Sequence, residues 1–206
     1  MMTSIAERYF TLRKKLFEWP RAQPLLNKLA LSFAVAALTG VLAQIKFYLP
    51  GTPVPVTGQT FAVLISGVAL GAWWGGVSQL FYIVLGIAGV PWFAGLNSGV
   101  AALFGPTGGY LVGFVVASLF VGRYIDTHPK ARNFFPAVVV VMFAASAIVY
   151  ATGLVNLWLW FGLFNKQSIS FAQLLQMGVL PFIPGDLFKI ALAALTIKTL
   201  TPKEYE

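Results

Sequence analysis

The fold class this sequence predicts is an all-α integral membrane protein: a compact bundle of six transmembrane helices with both termini cytoplasmic. Three observations lead there. The chain is 58% hydrophobic and only 10% charged over 206 residues, with a mean hydropathy of +0.81, which leaves too few charges to coat a soluble globule of that size. Residues 47 to 122 contain no Asp, Glu, Lys or Arg, so that stretch belongs in lipid. The apolar runs are continuous rather than alternating, which argues against a transmembrane β-barrel.

Residues 1–28 come first and are basic. They hold Arg8, Arg13, Lys14, Lys15, Arg21 and Lys28 against Glu7 and Glu18, a juxtamembrane pattern suited to anionic lipid. Ile5, Tyr9, Leu12, Leu16 and Trp19 recur every three or four residues, so residues 4–19 can form an amphipathic helix on the cytoplasmic membrane surface. A helix packed on a partner protein would show the same spacing. The basic region is too long for a signal peptide, and cleavage is not expected.

Residues 29–200 form the transmembrane domain. Apolar runs at about 29–48, 59–73, 76–90, 108–123, 136–160 and 182–200 give six spans, the second to fourth shorter than the roughly 20 residues of a full crossing. "GAWWGG" at 71–76 reads as a tight turn with interfacial tryptophans. In span one, Ala30 and Ala34, or alternatively Ala36 and Gly40, have the small-xxx-small spacing that admits a second helix closely, from a partner or from within the bundle. Residues 201–206 are a cytoplasmic tail. With the N-terminus inside, eleven basic residues fall on the cytoplasmic side, including Arg123, Lys130, Arg132, Lys198 and Lys203, against Lys46 and Lys166 outside; this obeys the positive-inside rule.

That orientation gathers the unusual chemistry on the outer face. Asp186 and Lys189 stand three apart in "PGDLFK", on one face of a helix, where intramembrane charges need partners. They form either a private salt bridge or part of a ligand site, and "IPG" is expected to break the backbone before them and open a pocket. The connection after span three holds Asn97, Ser98 and several glycines, so it is either a plain outer turn or a loop folded into the bundle. Gln59 either reaches a ligand or caps span two. Trp92, Phe93, Tyr110, Trp158 and Trp160 are candidate flat walls as well as candidate interfacial anchors.

Other functions find no support. There is no phosphate-binding G-x-x-x-x-G-K-[ST] loop, no HExxH, no Ser-His-Asp set and no cysteine, so neither catalytic residues, an intrinsic ATPase, a metal site nor a cofactor is expected. The charge of +8 follows the membrane rule and implies no nucleic acid. The single His128 reads as a solvated loop residue.

"PVPVTGQT" at 53–60, "GxPWFAGLNSG" at 89–99, "GPTGGY" at 105–110 and "FIPGDLFK" at 182–189 resemble, in order and spacing, the BioY family of biotin-specific S components of energy-coupling factor transporters. The resemblance implies a multi-pass cell (inner) membrane subunit that captures biotin from outside and delivers it inward. A separate transmembrane T component and two cytoplasmic ATPases would supply the energy. It also implies that Asn97 and Asp186 meet the ureido ring, that Lys189 holds the site and can face the carboxylate, and that Gln59 and Tyr110 neighbour them; Trp92 and Phe93 are the aromatic walls expected at the same site. Gly58 departs from the bulkier apolar residue often found before the Gln. An S component for another vitamin, or a non-transporting scaffold, are the alternatives.

Overall fold

The computed structural model describes residues 5–128 and 135–200; Lys130, Arg132 and the 201–206 tail lie outside the described residues. Among the described residues the regular structure is helical apart from one two-residue ladder and an isolated bridge. The elements are α1 (Ile5–Ala22), α2 (Leu25–Ala43), β1 (Lys46–Phe47), β2 (Val56–Thr57), α3 (Gln59–Ile87), α4 (Ala101–Phe104), α5 (Gly108–Thr127), α6 (Phe135–Leu163), α7 (Phe171–Gly178) and α8 (Ile183–Leu200). Among the described residues, five stretches are long and apolar enough to cross a membrane: Leu25–Ala43, Gln59–Ile87, Gly108–Thr127, Phe135–Leu163 and Phe171–Thr199.

One of these, α3, is folded back on itself. Gly71 adopts φ 80 and ψ 174, a conformation open almost only to glycine. A Cβ on Gly75 would lie 2.7 Å from the Cα of Gly67, although eight residues along an unbroken helix span about 12 Å. The arms 59–70 and 72–87 are therefore antiparallel, and at their far ends Gln59 Nε2 donates to the Tyr82 hydroxyl at 2.7 Å. The turn lies at Gly71 itself, at the start of "GAWWGG"; Trp73 is exposed beside it. Gly71→Ala should lower the thermal midpoint in detergent, since a Cβ would be strained by about 1–3 kcal/mol and would sit 3.0 Å from Asp126 Oδ2.

Small residues set the remaining helix distances, as lipid-embedded helices require. A Cβ on Gly67 would meet the Ser118 carbonyl of α5 at 2.4 Å, and one on Gly122 would meet Ala72 Cα at 2.4 Å. On the other face of α5, a Cβ on Gly109 would meet the Thr152 carbonyl of α6 at 2.2 Å. In α2, Ala36 and Gly40 are buried, and a Cβ on Gly40 would strike Trp92 at 2.8 Å. This corrects their assignment to a partner interface: they serve internal packing. Ala30 and Ala34 remain exposed.

Span one ends earlier than the sequence suggests, because Lys46 and Phe47 leave the helix to pair antiparallel with Thr57 and Val56. Before α8 the chain forms α7 and a 3₁₀ turn, Leu180–Phe182, which the span count missed. The signal was there in "SFAQ" at 170–173: Ser170 and Gln173 make a reciprocal capping box. "IPG" does not break the backbone before Asp186. Pro184 and Gly185 belong to the first turn of α8, where proline's missing N–H does no harm, and the irregular residue is Val179 (φ −133, ψ −60).

Candidate functional site

At one end of the bundle the connections fold inward around a cavity of about 390 Å³, within the usual range of small-molecule sites. Its walls come from every part of the chain that closes that end: the loop before β2, the start of α3, the 93–98 loop, α5, α6 and the start of α8.

Asp186 lies in the first turn of α8, where the helix dipole favours an anion. Its Oδ1 is 2.5 Å from Lys189 Nζ, and these side chains are only 9% and 12% exposed respectively. Thr60 Oγ1 donates to the same oxygen at 3.3 Å, and the Tyr150 hydroxyl donates to Oδ2. Lys189 Nζ also donates to the Thr57 carbonyl at 3.0 Å, which ties α8 to the ladder. The two charges are thus paired, but they are not private: their pair faces the cavity inside a network with Tyr150, Thr60 and Thr57. A carboxylate has about four lone-pair sites, so three contacts leave Asp186 one acceptor position.

The 90–99 connection is a folded loop rather than a plain outer turn. Phe93 and Asn97 form an antiparallel bridge, with Phe93 N donating to the Asn97 carbonyl at 3.0 Å. Gly95 between them has φ 83, the left-handed conformation this reversal needs. Gln44 clasps the loop from α2, donating to the Trp92 and Phe93 carbonyls at 3.2 Å and accepting from Leu96 N at 3.0 Å. Asn97 lines the cavity; its Nδ2 donates to the Ala94 carbonyl at 2.9 Å, so its amide oxygen is the group it can offer as an acceptor.

The cavity brings together Asn97, Asp186, Lys189, Gln59, Tyr110 and Phe93. Gln59 is buried and does local work as well: it accepts from Thr57 Oγ1 at 2.7 Å while donating to Tyr82. The Tyr110 ring lines the wall, and its hydroxyl anchors the Gly178 carbonyl at 2.9 Å, fixing the end of α7. Trp92 is not brought in. Its indole N–H donates to the Tyr82 carbonyl at 2.9 Å and its ring packs on Gly40, so it supports the loop from behind. Trp158 and Trp160 lie outside the cavity too.

Sequence reading missed Tyr150, Thr60 and Phe182. Tyr150 had a usable signal: a tyrosine in the middle of a 29-residue apolar helix needs a partner for its hydroxyl, and Asp186 is the only acid within the six spans read from the sequence. Phe182 closes the wall against Tyr150 and Tyr110, with ring centroids 6.4 and 6.3 Å apart. The arrangement offers charge-assisted hydrogen bonds at Asp186 and Lys189, a side-chain amide at Asn97, and aromatic and aliphatic surface around one cavity. That suits capture of a compact, partly polar molecule; among the described residues no cluster suited to a metal ion occurs.

Comparison with known proteins agrees with this picture. The fold matches a solved structure described as the S-component for biotin from an ECF-type ABC transporter, with a TM-score of 0.74 and 24% identity, over 87% of this chain and 94% of that one. A probable biotin transporter BioY from Methanothermobacter thermautotrophicus is 48% identical over 68% of this chain and 89% of its own length. A probable biotin transporter BioY from Pyrococcus horikoshii is 34% identical over 80% of this chain and 90% of its own, and the biotin transporter BioY of Thermotoga maritima is 32% identical over 77% and 87%. The BioY family pattern matches residues 13–204, nearly all of the helical bundle, and the chain belongs to the BioY family.

Proposed function

We propose that this protein is the biotin-capturing S component of an energy-coupling factor transporter in the cell (inner) membrane. The observation that carries this reading is the convergence of Asp186, Lys189, Tyr150 and Asn97 on one cavity in a chain whose relatives are named biotin transporters. Biotin has a ureido head with two N–H donors and one carbonyl, an apolar sulfur ring and a carboxylate tail. The remaining acceptor site of Asp186 and the amide oxygen of Asn97 suit the two donors, Phe93, Tyr110 and Phe182 suit the ring, and Lys189 holds Asp186 in its charged, accepting form. Gln59 supports the mouth of the cavity through the hairpin.

The protein purified from cells should retain biotin, identified by mass spectrometry of released ligand. Release of thiamine or riboflavin instead would assign another vitamin. In calorimetric titration with biotin, Asn97→Ala and Tyr150→Phe should each weaken binding by about 1–3 kcal/mol, the cost of an unmet buried polar partner; wild-type affinity in both would remove the site.

The same proposal fixes the topology. The two arms of α3 make six crossings in all, with α2, α5, α6 and α8, and place both termini in the cytoplasm, opposite the cavity. The excess of basic residues at the α1 end supports this. Because the chain has no cysteine, Lys166→Cys should react with a membrane-impermeant maleimide in intact cells and Lys14→Cys should not. The reverse pattern would invert the protein. Without a phosphate-binding loop of its own, the chain takes its energy from a T component and two ATPases, and the exposed Ala30–Ala34 stripe of α2 is the face offered to such a helix.

A further inference from the structure

The helix α1 has three faces, one of which is docked on the bundle. Arg13, Phe17 and Arg21, spaced by one turn each, form the docked face: Arg13 and Phe17 are buried, and Arg13 donates to the Lys198 carbonyl of α8. Arg21 reaches the turn of α3. It donates to the Val68 carbonyl at 2.8 Å and the Ala69 carbonyl at 3.2 Å, in the last turn of the first arm. It also pairs with Asp126 at 3.2 Å, whose other oxygen accepts the Ala72 N–H that begins the second arm.

The second face carries Tyr9, Leu12, Leu16 and Trp19, all exposed at 48–55%. At 3.6 residues per turn they occupy a sector about 80° wide, beside the docked face. The third face is polar: Arg8 and Lys15 are exposed along the water-side border of the apolar stripe, and Lys14 pairs with Glu18 at 3.9 Å beyond them. A helix buried in a protein interface would not need cations along the edge of its apolar stripe. An interfacial helix does, because phosphates lie where its apolar and wet faces meet, and a tryptophan in the stripe prefers that depth.

We infer that α1 is a membrane-surface strut: it lays Tyr9, Leu12, Leu16 and Trp19 into an anionic phospholipid leaflet while Arg13 and Arg21 fasten it to the bundle. Its occupant is lipid, selected by Arg8 and Lys15. Since Arg21 holds both broken ends of the α3 turn, the depth of α1 in the leaflet also fixes the depth of the hairpin. This holds whichever small molecule fills the cavity, because α1 docks at the opposite end of the bundle.

The absence of cysteine makes the test direct. Leu16→Cys and Lys15→Cys are spin-labelled in the full chain and reconstituted into phosphatidylcholine vesicles with or without phosphatidylglycerol, with retained ligand binding as the folding control. With phosphatidylglycerol present, the label at 16 should be reached by oxygen and shielded from a water-soluble nickel relaxant, and the label at 15 should show the reverse. Shielding at 16 should diminish in phosphatidylcholine alone and in the Arg8→Gln, Lys15→Gln background. A water-exposed label at 16, or shielding indifferent to phosphatidylglycerol, would overturn the lipid assignment. Shielding that appears only when a T component and ATPases are added would make the occupant a protein and overturn it equally.

Discussion

Asp186→Asn is expected to lower biotin affinity by about ten- to a hundredfold, because it replaces an acceptor offered to a ureido N–H by an amide and leaves a buried polar group unmet, at about 1–3 kcal/mol. The side chain keeps its size, so the effect is chemical. The Lys189 ammonium, 12% exposed, is left with the Thr57 carbonyl alone. The new amide also places N–H donors where Thr60 and Tyr150 already aim theirs. Calorimetric titration with biotin, on protein that still elutes as a single species, measures the loss. The double exchange Asp186→Lys with Lys189→Asp separates a ligand site from a structural pair. It preserves the attraction but moves the acceptor one helical turn from Tyr150, so binding should stay lost. Restored binding would mean that the charges act only on each other.

The parts of this architecture that were legible in the sequence are those governed by hydropathy over many residues. The runs 108–123 and 136–160 became α5 and α6 within a few residues, because long apolar helices have no alternative in lipid. The cavity residues were legible where a polar group stood out against an apolar background: Asp186, Lys189, Asn97 and Gln59 all line it. The remainder depended on tertiary packing. Gly71 could not be told from its neighbours Gly75 and Gly76, since all three permit a turn and only the close approach of the two arms selects one. Trp92 looked like a wall, but Gly40 gave its ring a slot behind the loop. Tyr150 stood out only as a hydroxyl in an apolar helix; that its partner is Asp186, 36 residues on, follows from α6 bringing it level with the first turn of α8.

Gly67→Leu should abolish folded protein, and even Gly67→Ala should cost about 1–3 kcal/mol, because this position is where three segments meet without side chains. A Cβ here would lie 2.4 Å from the Ser118 carbonyl, 2.7 Å from Gly122 N and 3.3 Å from Gly122 Cα. All three atoms are backbone, and none can rotate aside. The second arm of α3 is equally close, with Gly75 stacked on the Gly67 Cα. A larger residue must therefore push α5 away from the hairpin or open the hairpin itself. Either movement parts the hydroxyls of Ser66 and Ser118, which share a buried hydrogen bond of 2.7 Å, and leaves polar groups unmet in an apolar interior. The disturbance would propagate to the cavity, since Gln59 at the head of the first arm and Tyr110 at the head of α5 both belong to its wall. Detergent thermal stability and ligand retention should fall together in Gly67→Ala. Gly162→Ala, where a Cβ meets nothing within 4 Å, should leave both at wild-type values. A Gly67→Leu protein as stable as wild type would show that the two arms of α3 are not packed against α5 in this way.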